Sequence, residues 1–149
     1  MMTKEYTQAM IDIAHIGEHL RAHGITPTQQ RVDIAEILFA RSQHLSADQV
    51  LERVNRETEL VSKATVYNTL GLFARKGLVR EVIIDPGKVF YDSNVEPHHH
   101  FYNIDTGELT DIDAAEVNIQ NMPDLPEGTD TIGVDVIVRI RQSDTAANQ

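Results

Sequence analysis

The chain has 149 residues, enough to bury one good core or two small ones joined by a hinge. It contains no cysteine, which excludes disulfides, CxxC zinc sites, thiolate catalysis and cysteine-ligated haem, so any bound metal must use histidine and carboxylate. Its net charge of −10 is uneven: residues 1–92 hold 11 Lys and Arg against 12 Asp and Glu, while the remainder hold 2 against 11. The second half is therefore unsuited to facing phosphates, whereas the first can carry a basic face.

Four helices are expected in the first half. From Ala9 to His23, apolar residues recur at Met10, Ile13, Ile16 and Leu20 and stop at Gly24, a usual helix C-terminal residue. Thr26 can cap a second helix, with Pro27 at its first position and Gln29 completing a capping box; its apolar face runs from Val32 to Phe39. Ser46 and Gln49 form a second capping box, ahead of a stripe at Val50, Leu51 and Val54. Ser62 opens the fourth helix, with Val66, Leu70 and Phe73 inward and Gly77 at its end. The period then becomes strand-like in LVREVIIDPGKVFYD, two β-rich runs around the turn Asp85-Pro86-Gly87, where glycine permits a positive φ.

Helices followed by a hairpin make a winged helix-turn-helix, with the helix before the wing as the DNA reader. With its apolar stripe inward, that helix exposes Thr65, Tyr67, Asn68, Arg75 and Lys76, side chains able to touch bases and phosphates. Arg31, Lys63 and Lys88 add cations. So few charges should bind DNA salt-sensitively and benefit from dimeric half-sites.

The second half opens with SNVEP and HHHFYNIDTGELTDI, two strands around Thr106-Gly107. Asp113 to Asn121 is expected as a short helix, and IGVDVIVRIR as a closing strand with Val134, Val136, Val138 and Ile140 at period two. The expected fold is thus α+β: a winged helix-turn-helix at 1–92, a hinge at 93–97, a dimerisation and metal-sensing α/β domain with an antiparallel three-stranded sheet at 98–141, and a tail at 142–149. Such a sheet is marginal alone, and a second copy would cover its face and edge. The N-terminus has neither an apolar core nor an Arg-rich transit pattern, and no stretch is long enough to cross a bilayer, so a cytoplasmic protein without membrane partners is expected.

His98-His99-His100, framed by Asp92 and Asp111, suggests a transition-metal site of imidazoles and hard carboxylates. On a strand His98 and His100 share a face and His99 takes the other. His15, His19 and His23 stack along one side of the first helix, but no carboxylate beyond Glu18 or Asp12 completes a site, and a solvated helix surface explains them better.

GITPTQQRVDIAEILF, QHLSADQV, ATVYNTLGLFARKGLV and DSNVEPHHHFYNIDTGELTDID, in this order, resemble the ferric uptake regulator family over nearly all of residues 13–141. DSNVEPHHHF and the ending VDVIVRIR are most similar to its iron response regulator branch; the peroxide-sensing branch is the nearest alternative. The resemblance implies a regulator that binds a palindromic operator as a homodimer, or a higher oligomer built from it, and is not an enzyme. It implies one divalent metal per subunit, Fe2+ or Mn2+ ahead of Zn2+, held by His44, Asp92, His98, His100 and Asp111. A metal joining these positions would clamp the angle between the domains. The branch also raises haem on His98, His99 or His100, or a haem-synthesis enzyme as partner, with Phe90, Phe101 and Tyr102 as the apolar surroundings. Many relatives hold a structural zinc with two CxxC pairs; the first pair corresponds here to Asn103 and Thr106, so that zinc has no ligands. Other classes fit less well. A small metal-dependent hydrolase would lack a general base beyond the ligand carboxylates, and a metal buffer would have no use for the fourth helix and wing.

Overall fold

Residues 13–144 are described by the computed structural model, and the chain divides after Val95 into two units. In the first, a 3-10 turn (Ile13–His15) leads into α1 (Ile16–Ala22), which buries Ile16 and Leu20. The expected beginning of this helix, at Ala9 and Met10, lies outside the described residues. Helix α2 (Gln29–Phe39) is capped by Thr28 rather than Thr26: the Thr28 hydroxyl accepts from the Arg31 amide at 3.3 Å, while Gln29 donates to Asp33 at 2.9 Å. Thr28 is still extended, at φ −114° and ψ 162°, so the helix begins two residues later than a cap at Thr26 would place it.

Helix α3 (Ala47–Val54) carries the full Ser46–Gln49 capping box, and α4 (Lys63–Arg75) is capped by Ser62. Gly77 follows α4 at φ +76°, a left-handed position that glycine takes without steric penalty. Strands β2 (Arg80–Asp85) and β3 (Lys88–Asp92) form the wing. Its turn departs from expectation: Gly87 has no positive φ, and the Asp85 carboxylate instead accepts from the Gly87 amide at 2.8 Å. A three-residue strand, β1 (His44–Ser46), was not expected; it pairs with β3 to give an antiparallel sheet of order β1-β3-β2. The core of this unit gathers Leu20, Ile34, Leu38, Val50, Val66, Leu70 and Phe73 from all four helices.

In the second unit β4 (His98–Asn103) is central, antiparallel to β5 (Leu109–Asp113). Asn103 holds the connecting turn, its side-chain oxygen accepting from the Asp105 and Thr106 amides at 2.9 and 3.2 Å, with Gly107 at φ +75°. Strand β6 (Ile137–Ile140) lies on the other edge of β4 and runs parallel to it, so the sheet is three-stranded but not antiparallel throughout. Residues 114–136 carry the chain from one edge of the sheet to the other, and a strand reached that way points along β4. The expected helix at 113–121 is only a 3-10 turn (Ala114–Glu116), capped by Asp113; it buries no face that could offset helix nucleation. The fold is α+β, and among the described residues no helix is long and apolar enough to cross a membrane.

Candidate metal centre and nucleic-acid interface

In the first unit the pairing of β1 with β3 sets His44 directly opposite Asp92. Such partners have Cα atoms about 4.5–5.5 Å apart, close enough for one ion to reach both side chains. The residues beside them are tied together. The Ser93 amide donates to the Gln43 carbonyl at 3.1 Å, and the Gln43 amide donates to the Ser93 hydroxyl at 3.2 Å. The Gln43 side chain donates to the Ile37 carbonyl at 2.7 Å, near the end of α2, and accepts from Arg53 of α3 at 3.0 Å. The His44–Asp92 pair is therefore referenced to two helices of the first unit. Asp92 also turns the chain, accepting from the Asn94 amide at 2.9 Å.

In the second unit His100 faces Asp111 across the β4–β5 ladder. The Nε2 atoms of His98 and His100 lie 3.6 and 3.3 Å from the same Asp111 oxygen, and the two rings meet edge to face at 4.6 Å. His98 Nδ1 is 2.6 Å from the Glu96 carbonyl, which can only accept, so Nδ1 carries a proton and Nε2 is the nitrogen turned to Asp111. A lone pair facing a carboxylate is stable only with a cation between them, a second proton or a metal ion. This donor set, imidazole nitrogen and carboxylate oxygen without sulfur, fits a divalent first-row ion.

His99 does different work. It is buried, and its Nδ1 accepts from the Val136 amide at 3.0 Å just before β6, so its proton sits on Nε2 and the ring offers no lone pair while that bond stands. His19 and His23 pack together at 4.7 Å, with His19 edge-on to Phe39 and His23 Nδ1 donating to the His19 carbonyl. Burial, then the neighbouring His23, holds the His19 imidazole below its usual value, as suits a packed neutral ring.

On the expected reading face, Lys63, Tyr67, Asn68, Arg75 and Lys76 are exposed along α4. Thr65 is half-buried and belongs to the cap, its hydroxyl accepting from Ser62 at 3.0 Å. Arg31 donates to the Thr26 carbonyl at 2.8 Å, bracing the loop before α2. Arg75 is the last residue of α4, about 18 Å along its axis from Lys63, whereas base contacts come from the N-terminal part of a reading helix. Lys88 begins β3 at the wing tip, exposed. Nothing in the sequence announces β1, too short for an alternation to register, or the role of Asp48, which accepts from the Tyr67 hydroxyl at 3.1 Å.

The ferric uptake regulator family matches residues 22–136. The peroxide-responsive repressor PerR of Staphylococcus aureus is 29% identical over 99 residues, 66% of this chain and 67% of the relative. A structure of the ferric uptake regulator from Pseudomonas aeruginosa with manganese is similar at a TM-score of 0.66 and 26% identity, over 86% of this chain and 98% of that one. The Vibrio cholerae ferric uptake regulator, at 0.65 and 21% over 85% of this chain and 99% of that one, has the same fold. The chain belongs to the ferric uptake regulator family, whose members are metal-responsive transcription regulators rather than enzymes.

Proposed function

We propose that this regulator binds a palindromic operator as a homodimer and that one divalent ion per subunit, held by His44, Asp92, His98, His100 and Asp111, sets its grip on DNA. Residues 1–92 would read the operator, 93–97 act as the hinge, and 98–141 dimerise. The observation that carries this reading is the Asp111 carboxylate approached by two imidazole Nε2 atoms, one of them with its proton committed elsewhere. The His44–Asp92 pair ends six residues before His98, so a short connection limits how far the two half-sites can separate. An ion held by these five residues would supply a cross-link between their side chains. Zinc is favoured over iron and manganese by intrinsic affinity, and cellular supply decides which metal acts; the manganese in the Pseudomonas aeruginosa structure makes Mn2+ the practical probe.

His44→Ala and His100→Ala should each weaken Mn2+ binding by at least about tenfold in calorimetry, since loss of even an outer-shell partner costs that much. Metal-dependent operator binding should weaken with it. Full metal affinity in both variants overturns the site.

Iron sensing with a link to haem is the branch reading we favour, on the segment DSNVEPHHHF; a peroxide response, as the name of the Staphylococcus aureus relative suggests, is the alternative. Metal ranks ahead of haem as the bound group because His99 uses its Nδ1 lone pair on Val136. Metal analysis of protein purified without oxygen, followed by operator binding after peroxide or haem addition, separates the branches. Release by peroxide with no haem absorbance change would reject the haem link. A cytoplasmic location follows from the proposed access to DNA.

A further inference from the structure

Near the start of α4 a groove of about 450 Å³ opens between the helix and the wing, lined by Asp48, Tyr67, the turn Pro86–Gly87, Lys88 and Phe90 among others. Tyr67 stands 43% exposed there, with Lys63 Nζ 5.7 Å above its ring. Its hydroxyl is 3.1 Å from Asp48 Oδ1. An ionised carboxylate can only accept, so the direction of this bond is fixed: the phenol donates its one proton to Asp48 and keeps only lone pairs for another partner. The same bond, ahead of desolvation and the charge of Asp48, pushes the Tyr67 phenol above its usual range.

We propose that Asp48 is a specificity-determining residue: by taking the Tyr67 hydroxyl proton it makes Tyr67 a hydrogen-bond acceptor towards DNA, selecting the exocyclic amino groups of adenine and cytosine over guanine and thymine. This rests on the reading of α4 as the operator-reading helix. In the major groove the N6 amino group of adenine and the N4 amino group of cytosine are the donors a base edge presents, while guanine O6 and N7 and thymine O4 are acceptors. An acceptor-only tyrosine satisfies the first pair and repels the second. Asp48 is also exposed and negative in the groove, which weakens binding to any phosphate there irrespective of sequence. The plainer role for Asp48, an acid in the first turn of α3 complementing the helix dipole, would affect stability without choosing bases.

The test is enrichment of duplexes from a randomised pool by full-length, Mn2+-loaded wild type, Asp48→Ala, Tyr67→Phe and the double variant. Wild type is expected to enrich a motif with a position restricted to adenine or cytosine. Asp48→Ala should lose about two- to tenfold of that preference, the worth of one neutral hydrogen bond, and bind bulk mixed-sequence DNA more tightly through loss of a negative charge. Tyr67→Phe should lose the same preference, and the double variant should lose no more. Retention of the restricted position in Asp48→Ala with its loss in Tyr67→Phe overturns the proposal, as does an equal change in affinity for all sequences in Asp48→Ala. Should Asp48→Ala fail to fold, Asp48→Asn takes its place, since its amide can also donate to the Tyr67 oxygen and free the phenol proton: an unchanged motif overturns the proposal, and relaxation at the adenine or cytosine position supports it. Failure of wild type to enrich any sequence would instead bring down the operator-reading helix itself.

Discussion

An imidazole has two nitrogens, and a hydrogen bond at one dictates what the other can do. His98 commits Nδ1 as a donor to Glu96 and aims Nε2 at Asp111; His99 commits Nδ1 as an acceptor to Val136. Two neighbours of identical chemistry thus hold opposite tautomers, one suited to ligating a metal and one to pinning β6. His99→Ala should accordingly loosen the end of β4 and β6, seen as faster amide exchange there, while leaving Mn2+ affinity within about threefold; a loss as large as that in His100→Ala would make His99 a ligand. His19 gives a pH prediction. Its folded value lies below the unfolded one, so it contributes stability that is present above about pH 6.5 and lost as pH falls through the folded value. The melting temperature of wild type should therefore drop relative to His19→Gln between pH 7.5 and 5.5, and parallel curves would show that His19 is solvated in the folded state. The split of the histidine triplet between two faces was legible from strand alternation alone, whereas the tautomers depend on carbonyl and amide partners that only the fold brings near.

At the scale of elements, helices with strong punctuation were legible and short or late elements were not. Ser46–Gln49 and Ser62 cap helices at the residues where serine and glutamine chemistry put them, because capping is satisfied within one turn. Strand β1 is stabilised by β3, some fifty residues away, and three residues carry no period of their own. Gln43 joins that strand to the helices, bridging the Ile37 and Leu38 carbonyls, Arg53 and the Ser93 loop. Gln43→Ala leaves those partners to find others, and should destabilise the first unit by about 1–3 kcal/mol in urea unfolding. It should also reduce the effect of Mn2+ on operator affinity if the tie transmits the position of His44. An unchanged metal response in a destabilised protein would confine Gln43 to stability. Leu70, fully buried on α4, supplies the comparison: Leu70→Ala should cost about 2–5 kcal/mol through the cavity it leaves.

For the whole molecule, the uneven charge has a consequence for both halves. With 2 basic against 11 acidic residues after Asp92, the second half cannot contribute to phosphate binding, so the salt dependence of DNA affinity should come from the cations of the first half alone. Lys63→Ala should lower the slope of log affinity against log salt by about one, measured by fluorescence anisotropy; an unchanged slope would remove Lys63 from the interface. The second unit is a three-stranded sheet with Phe101, Val138 and Ile140 partly exposed on one face and, among the described residues, only Tyr102, Leu109 and Ile112 as buried apolar residues. So thin a core needs a cover. Val138→Asp on that face should shift the protein to monomer in sedimentation and weaken operator binding, and an unaltered dimer would place the homodimer contact elsewhere.

The sequence by itself determined the residue chemistry and the local elements: histidine and carboxylate as the available ligands, four helices in order, a wing, and an acidic half unfit for phosphates. These follow from side-chain type, periodicity and capping, all of which act over a few residues. Tertiary structure decided what depends on distant partners. The His44–Asp92 register needs strands from far apart in the chain, the parallel edge strand β6 needs the route taken by residues 114–136, and the Asp48–Tyr67 bond needs α3 laid against α4. Each is a contact whose energy is gained only once the intervening chain has folded, which is why no local pattern announces it.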